Sequence, residues 1–393
     1  MLVLAAGGLG FLSLFAVSAA DRALHGKNDF LPFYAGGRFA FTGHLYDQGR
    51  VLAEEHRAGG VAGESLHFIR PPWFAAALWP LARLPYPDAY LIWELLLAAS
   101  IGAFALWWTP PGRVANLIVL CFSIPALAAL LNGQDTPLLL ASLTAGMLLL
   151  RSGKPFEAGL VLALCQTKFH LFLPLWLILI AGRRWRLLGG LAAGNTALAV
   201  ASFVIAGWRW PLDYLESIGR DAVTPGADHM PTFYHALASL GFPEWWVLAP
   251  VAGIAIASWM AGRRLDAEAS VAVAPALVMP FLKHTYVFDA VVLLPVLILA
   301  LTSKSVPRRL SAVALLTPIP WIGCLAGYPV SLVAPALIIV FAGSHFSLKT
   351  GSVIVDEGIC TGGSPIDVAK SDSSCGTHAC QPVRPGCRPG PGD

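Results

Sequence analysis

Charge is scarce along this chain, and the scarcity is distributed. Asp, Glu, Lys and Arg make up 12% of the 393 residues while hydrophobic residues make up 56%. Soluble chains carry about twice that charged share. A surface this poor in charge has to face lipid. A soluble enzyme, a disordered protein, a DNA-binding domain and a coiled coil are thereby excluded, and the net charge of +3 is too small to call for a polyanionic partner such as nucleic acid.

Three stretches are too polar to cross a bilayer: residues 21–67, 207–245 and the tail from 344. The remainder has room for about 11–13 spans of about 20 residues each. The expected fold is an all-α polytopic membrane protein, with a membrane domain over 1–343. Several apolar segments are short and interrupted by proline, which is tolerated only where protein or water surrounds the broken backbone. The first segment, MLVLAAGGLGFLSLFAVSAA, lacks a basic leader and reads as a retained signal-anchor helix. Segments 157–167 and 169–182 are expected to form a hairpin with Gln166–His170 at its tip. Between 72–85 and 88–108 the count of crossings has the wrong parity, so these two form one broken crossing or one of them is re-entrant.

Orientation follows from the short basic connections. Arg113, Arg151 with Lys154, Arg183-Arg184-Trp185-Arg186, Arg263-Arg264, and Lys304 with Arg308-Arg309 are expected on the cytoplasmic side. The loops 21–67 and 207–245 hold more acid than base and are expected outside. The polar interruptions Asn132-Gly133-Gln134-Asp135, Gln166 to His170 and Lys283 to Tyr286 then fall on that same outer side, as does Asp29. Ionisable groups at membrane depth are functional-site candidates by default.

An ordered set of residues carries a resemblance. Lys27 to Asp47 reads KNDFLPFYAGGRFAFTGHLYD; Phe68-Ile69-Arg70-Pro71-Pro72 opens an apolar run; Asn132-Gly133-Gln134 breaks another; Lys168, Arg183-Arg184-Trp185, and His284 with Tyr286 follow. In this order the chain resembles glycosyltransferase family 87, the polyprenol-phosphate-mannose-dependent mannosyltransferases with the GT-C membrane fold, over roughly residues 1–300. It departs from the family pattern at Arg70, where an aromatic is usual, at Lys168-Phe169 in place of a lysine-proline pair, and at Leu282-Lys283 where a tryptophan is usual.

The resemblance implies a GT-C-like bundle whose long first extracytoplasmic loop carries amphipathic helices. It also implies inverting transfer of a hexose, mannose by analogy, from a polyprenyl-phosphate-linked donor to a glycolipid or glycan acceptor at the outer face of the plasma membrane. An acceptor hydroxyl needs a carboxylate within reach to take its proton, and a phosphate leaves without an acid. Asp29 is the candidate base, with helix capping as its plain alternative. His284, Lys283, Lys168 and Arg70 are candidates for the donor phosphate. Arg38, Tyr46, Asp47, Asn132 and Gln134 are candidates for substrate contact, although Asp47 also suits a turn or cap and Asn132 with Gln134 also suits a helix break. No Asp-x-Asp and no paired ligand spacing occurs, so neither a metal nor another cofactor is expected. A transporter or flippase of lipid-linked sugars, or a catalytically silent scaffold, are the alternatives. The tail 344–393 is Cys-, Gly- and Pro-rich and is expected to be a disordered cytoplasmic segment; Cys375, His378, Cys380 and Cys387 match no usual zinc spacing.

Overall fold

The computed structural model of the protein describes residues 2–59, 66–108, 112–219, 227–243 and 248–346. These lie in one compact unit; the tail lies outside the described residues. The described residues are helical throughout, with no strand among them. The order is α1 (Leu2–Leu24), α2 (Phe30–Phe39), α3 (Gln48–Arg57), α4 (Pro72–Leu78), α5 (Tyr86–Trp107), α6 (Arg113–Cys121), α7 (Ile124–Leu131), α8 (Thr136–Arg151) and α9 (Pro155–Leu162). There follow α10 (Phe169–Ala181), α11 (Trp185–Ala206), α12 (Trp210–Ile218), α13 (Tyr234–Ser239), α14 (Ala249–Arg264), α15 (Ala267–Val278), α16 (Leu294–Leu301), α17 (Val306–Leu316), α18 (Ile319–Leu325) and α19 (Val333–Gly343). Short 3-10 turns link several of them, notably at Ala163–Lys168 and Val287–Leu293.

The bundle has two chemically distinct ends. At one, the basic connections meet: Arg151 Nε donates to Glu268 at 2.8 Å, Arg184 to the Leu265 carbonyl at 2.5 Å, Arg264 to the Phe346 carbonyl at 3.4 Å and Arg308 to the Ser344 carbonyl at 3.0 Å. Arg151 also lies over the Trp108 ring. The other end gathers the polar interruptions, where the Asp29 N–H bonds the Asn132 carbonyl and Lys168 bonds both Gln134 and Asp289. Long helices such as α5 run from one end to the other.

Among the described residues, three helices are long and apolar enough to cross alone. Tyr86–Trp107, Pro155–Ala181 and Trp185–Ala206 qualify by length and apolarity, and α6 with α7 makes a fourth candidate bent by 65°. The bend falls where Ser123 caps α7 by accepting from the Ala126 N–H at 3.3 Å. Shorter apolar helices include Thr136–Arg151, Ala267–Phe281, Val287–Leu301 and Val330–Gly343.

The stretch Pro155–Ala181 turns back on itself. A straight helix of that length would hold its ends about 40 Å apart. Yet Gly190, near the start of α11, lies against the Phe156 carbonyl, and only Gly182–Arg184 separates α10 from α11. Both ends therefore lie at the basic end, and the turn falls at Ala163–Lys168, earlier than the expected tip at Gln166–His170 because α10 already begins at Phe169. Each arm is too short for a full crossing; α9 packs on α8 and α11, and α10 on α14, α15 and α11, protein surroundings in which irregular backbone is tolerated. The parity problem at 72–108 also resolves. Pro72 follows Arg70 and Tyr86 hydrogen-bonds the Gly26 carbonyl, so α4 and the Leu81–Arg83 turn begin and finish at the polar end, and α5 alone crosses.

One expectation is corrected. The first loop was expected to carry amphipathic helices, and the segment after Asp29 to be one with an exposed face. Instead every residue of α2 from Phe30 to Gly37 is buried. Phe30, Phe33, Tyr34, Phe68, Phe74, Tyr86 and Trp93 form an aromatic core between α2, α4 and α5, with Phe30 stacked on Trp93 at 5.3 Å. Two glycines, Gly36 and Gly37, let the helix press against Phe68 and α4.

Close helix contact over small residues holds the bundle where the hydrophobic effect cannot. A methyl group on Gly190 would collide with the Phe156 carbonyl, whereas on Gly189 the nearest atom lies 4.0 Å away. Gly190→Ala is expected to destabilise the detergent-solubilised protein by about 1–3 kcal/mol, with Gly189→Ala close to neutral. Thermal melting of the two single variants checks this, and equal melting points would contradict the packing described.

Candidate functional site

The site is assembled at helix breaks. The chain leaves α7 through Asn132 and Gly133, whose φ of +59° suits glycine. A Cβ at Gly133 would press on the Asn28 side chain, and its carbonyl accepts from the Trp93 indole N–H at 2.8 Å. This turn aims Gln134 and Asp135 inward at the start of α8. The 3-10 tip of the α9–α10 hairpin delivers Lys168. The run from Tyr286 delivers Asp289, whose Oδ2 accepts from the Tyr286 N–H at 2.8 Å. Arg70 enters just before the double proline that starts α4.

These side chains form one buried network. Arg70 grips Asp135 with two bonds, 2.7 Å from Nε and 3.0 Å from Nη2. Lys168 Nζ lies 2.6 Å from Asp289 and 3.5 Å from Asp135. Two cations thus face two carboxylates. All four residues are at most 5% exposed. Gln134 ties the network to its edge: its Oε1 accepts from Lys168 at 3.1 Å and from Arg70 at 3.4 Å. With the oxygen committed to two cations, the amide nitrogen must point away from them. It donates to Asp29 Oδ2.

Asp29 differs from its two acidic neighbours. It is partly exposed, and it forms no salt bridge among the described residues. It occupies the cap position of α2 without a side-chain capping bond; Asn28 accepts from the Phe30 N–H instead, at 3.1 Å. The plain capping alternative for the Asp29 carboxylate therefore fails. Burial pushes its carboxyl above the ordinary range, against the pull of Gln134, Lys168 and Arg70. Asp135 goes the other way: burial opposes its charge, but Arg70 and Lys168 hold it below the ordinary range.

The other candidates divide. Tyr46 sits beside the network, its hydroxyl donating to the Arg70 carbonyl at 2.8 Å. His284 packs edge-on against Tyr286 at 5.0 Å, and Tyr286 lies three residues before Asp289. Lys283 is exposed, with its ammonium 5.9 Å from the Tyr234 ring. Asp47 caps α3, accepting from the Arg50 N–H at 3.2 Å, and pairs with the Arg50 side chain. Arg38 leaves the far end of α2 and pairs with Glu54 at 3.1 Å, away from the network. Asn132 turns its side chain back to the Ala128 carbonyl and contributes only its own carbonyl, to the Asp29 N–H.

Two residues of the network, Asp135 and Asp289, were not among the sequence candidates. Asp135 was visible in the Asn-Gly-Gln-Asp break, and Asp289 is a single acid inside Val287–Leu293. A buried lysine at 168 requires an acid partner, and that requirement was the available signal. Among the described residues no group of His, Cys, Asp and Glu is arranged to hold a metal.

Removing one partner of a buried pair leaves its mate charged and unsolvated, at a cost of about 3–5 kcal/mol. Asp135→Ala, which strands Arg70 and weakens the hold on Lys168, is expected to lower the melting temperature sharply. Asp29→Asn, which breaks no salt bridge, is expected to melt near the wild type. Scanning calorimetry or dye-based melting in detergent separates the two.

Comparison with curated proteins and with solved structures returns no match. The sequence pattern of glycosyltransferase family 87 matches residues 68–282, a span that includes Arg70, Gln134, Asp135 and Lys168 and ends just short of His284. That span exceeds half of the chain, and with the apolar helical bundle around it the conclusion is plain: the protein belongs to glycosyltransferase family 87 and is a membrane glycosyltransferase.

Proposed function

We propose that the protein transfers a hexose, mannose by family analogy, from a polyprenyl-phosphate-linked donor to a glycan or glycolipid acceptor, with inversion and with Asp29 as general base. The observation that carries this is the contrast within the network. Asp135 and Asp289 are buried and neutralised by Arg70 and Lys168, while Asp29 stands at the accessible edge with no cation of its own. A carboxylate raised above its ordinary range is a stronger base in its ionised form.

In the reaction the acceptor oxygen attacks the anomeric carbon as its proton passes to Asp29. The bond from that carbon to the phosphate oxygen breaks, and polyprenyl phosphate leaves with the electron pair. Gln134 holds Asp29 Oδ2 by its N–H and leaves Oδ1 for the acceptor hydroxyl. Arg70 and Lys168 are spent on Asp135 and Asp289, so their role is to hold Gln134 in register rather than to grip phosphate. The charge developing on the leaving phosphate then falls to Lys283 and His284. Arg38, Asp47 and Asn132, engaged elsewhere, take no part in the chemistry at Asp29.

The sidedness supports the same reading. Basic connections favour the cytoplasm, and they gather at the end opposite Asp29. The site then opens on the extracytoplasmic side of the plasma membrane, where a lipid-linked donor presents its sugar just above the headgroups.

Two outcomes are expected in membranes given radiolabelled polyprenyl-phosphate-mannose. Asp29→Asn lowers transfer by about 10²–10⁴-fold while the protein stays folded; near-wild-type transfer would remove Asp29 as the base. In the wild type, kcat/KM falls as the medium is acidified through the folded-state pKa of Asp29. Because burial raises that pKa above 3.8, the acid limb lies above the usual carboxylate range, and activity is retained on its alkaline side. A pH–rate profile checks the sign, and an acid limb below the usual range would contradict the burial described.

A further inference from the structure

The polar run from Gln166 to His170 holds one ring that the charge network does not use. His170 stands in the first turn of α10, two residues past Lys168. Its imidazole is coupled electrostatically to Asp289, Lys168, His284 and Arg70, which places it at the network. It is half-buried, and among the described residues its ring packs edge-on against Phe169 at 5.7 Å while no hydrogen bond or ion pair engages its nitrogens. Resting on the sugar-transfer reading above, we propose that His170 binds the phosphate of the prenyl-phosphate donor, giving an imidazole N–H to one of its oxygens.

Without His170 the phosphate is short of donors on the hairpin side. Arg70 and Lys168 are matched to Asp135 and Asp289, so neither has its charge free for a ligand. An imidazole keeps at least one N–H in either protonation state, and a hydrogen bond to an ionised oxygen is about twice as strong as one between neutral groups. The contact therefore needs no change in the charge of the ring. His170 and His284 belong to different elements, the start of α10 and the segment before Val287–Leu293. A tetrahedral anion takes donors from several directions, and two rings on separate elements supply them where one element would not.

The surroundings suit an anion carried on a lipid. Phe169 and Leu173 on α10 are exposed and lie one turn apart, forming an apolar strip beside His170. Leu164, in the hairpin turn, is exposed as well. A prenyl chain lying along this strip brings its terminal phosphate to the imidazole. The base is kept apart from that point by a chain of contacts. Asp29 is held by Gln134, Gln134 accepts from Lys168 at 3.1 Å, and His170 is coupled to Lys168. An inverting displacement needs this separation, because the attacking and leaving oxygens act on opposite faces of the anomeric carbon.

Equilibrium binding of radiolabelled farnesyl phosphate to the full-length chain in detergent tests this, with farnesol and inorganic phosphate as comparisons. The wild type is expected to bind farnesyl phosphate more tightly than either. His170→Leu should weaken that binding about tenfold or more and leave farnesol unchanged. His170→Asn or His170→Gln, one of which sets an amide N–H near the ring nitrogen in use, should recover most of the loss. In transfer assays His170→Leu should lower kcat/KM for the donor by a like factor, with little change in the acceptor KM. Undiminished farnesyl phosphate binding in His170→Leu, an equal loss of farnesol, no recovery by either amide, or inorganic phosphate bound as tightly as farnesyl phosphate would each overturn the assignment. A wild type that prefers farnesyl phosphate, with a His170→Leu variant that keeps the preference, removes His170 alone. A wild type with no such preference removes the lipid-phosphate donor along with it, and Asp29→Asn tests the base separately.

Discussion

The structure at the polar end depends on one requirement: charges removed from water must be neutralised where they lie. Arg70 and Lys168 are at most 5% exposed and meet Asp135 and Asp289, which are at most 1% exposed. Desolvating such groups costs several kcal/mol each, and only close, well-directed pairing offsets it. The two bonds from Arg70 to Asp135 and the short contact from Lys168 to Asp289 meet that condition. Four otherwise separate pieces of chain, before α4, before α8, at the α9–α10 tip and after Tyr286, are thereby fixed to one another. A network of this kind adds little net stability over an apolar core. Its value lies in register, because each charge has one place where it can be tolerated.

The same requirement explains what the sequence revealed and what it hid. Scarcity of charge announced the membrane, and the alternation of basic and acidic connections announced which loops share an end. That a turn falls near Gln166 was legible, because a polar run between two short apolar arms has to turn where it reaches polar surroundings; its bounds, Ala163–Lys168, were not. The parity failure at 72–108 was legible as a problem only. Its answer depends on α4 packing against α2, a contact between segments more than thirty residues apart that no local pattern encodes. The burial of α2 was misjudged for a related reason. An aromatic-rich stretch with Arg38 at its end looks interfacial when taken alone, but Phe30, Phe33 and Tyr34 find Trp93, Phe74 and Tyr86 in the fold.

Roles were harder to recover than positions. Asp29, Arg70, Gln134 and Lys168 are brought together, yet the sequence offered Arg70 and Lys168 as phosphate ligands because an isolated cation suggests an anionic substrate. In the fold each is already matched to an acid of the protein. Asp289 was overlooked because one acid in a run of seven mostly apolar residues resembles an exception. In a chain with so few charges, every buried charge implies a partner, and Lys168 could have been used to search for one.

The pairing also accounts for the state of Asp29. Had Arg70 or Lys168 been left without Asp135 and Asp289, its charge would have fallen on Asp29, the remaining carboxylate nearby, and held that group weakly basic. With the cations spent inside, Asp29 is held by the neutral amide of Gln134, and burial raises its proton affinity with only a partial opposing pull. Gln134 is suited to this post because an amide presents an acceptor on one side and a donor on the other. Its oxygen accepts from both cations, and its nitrogen fixes one carboxylate oxygen of Asp29. A glutamate there would bring a second negative charge beside Asp29, and an apolar residue would leave both Lys168 and Asp29 a bond short. Asp29 is thus set in place by Gln134, and its proton affinity follows from burial against the partial pull of Lys168 and Arg70.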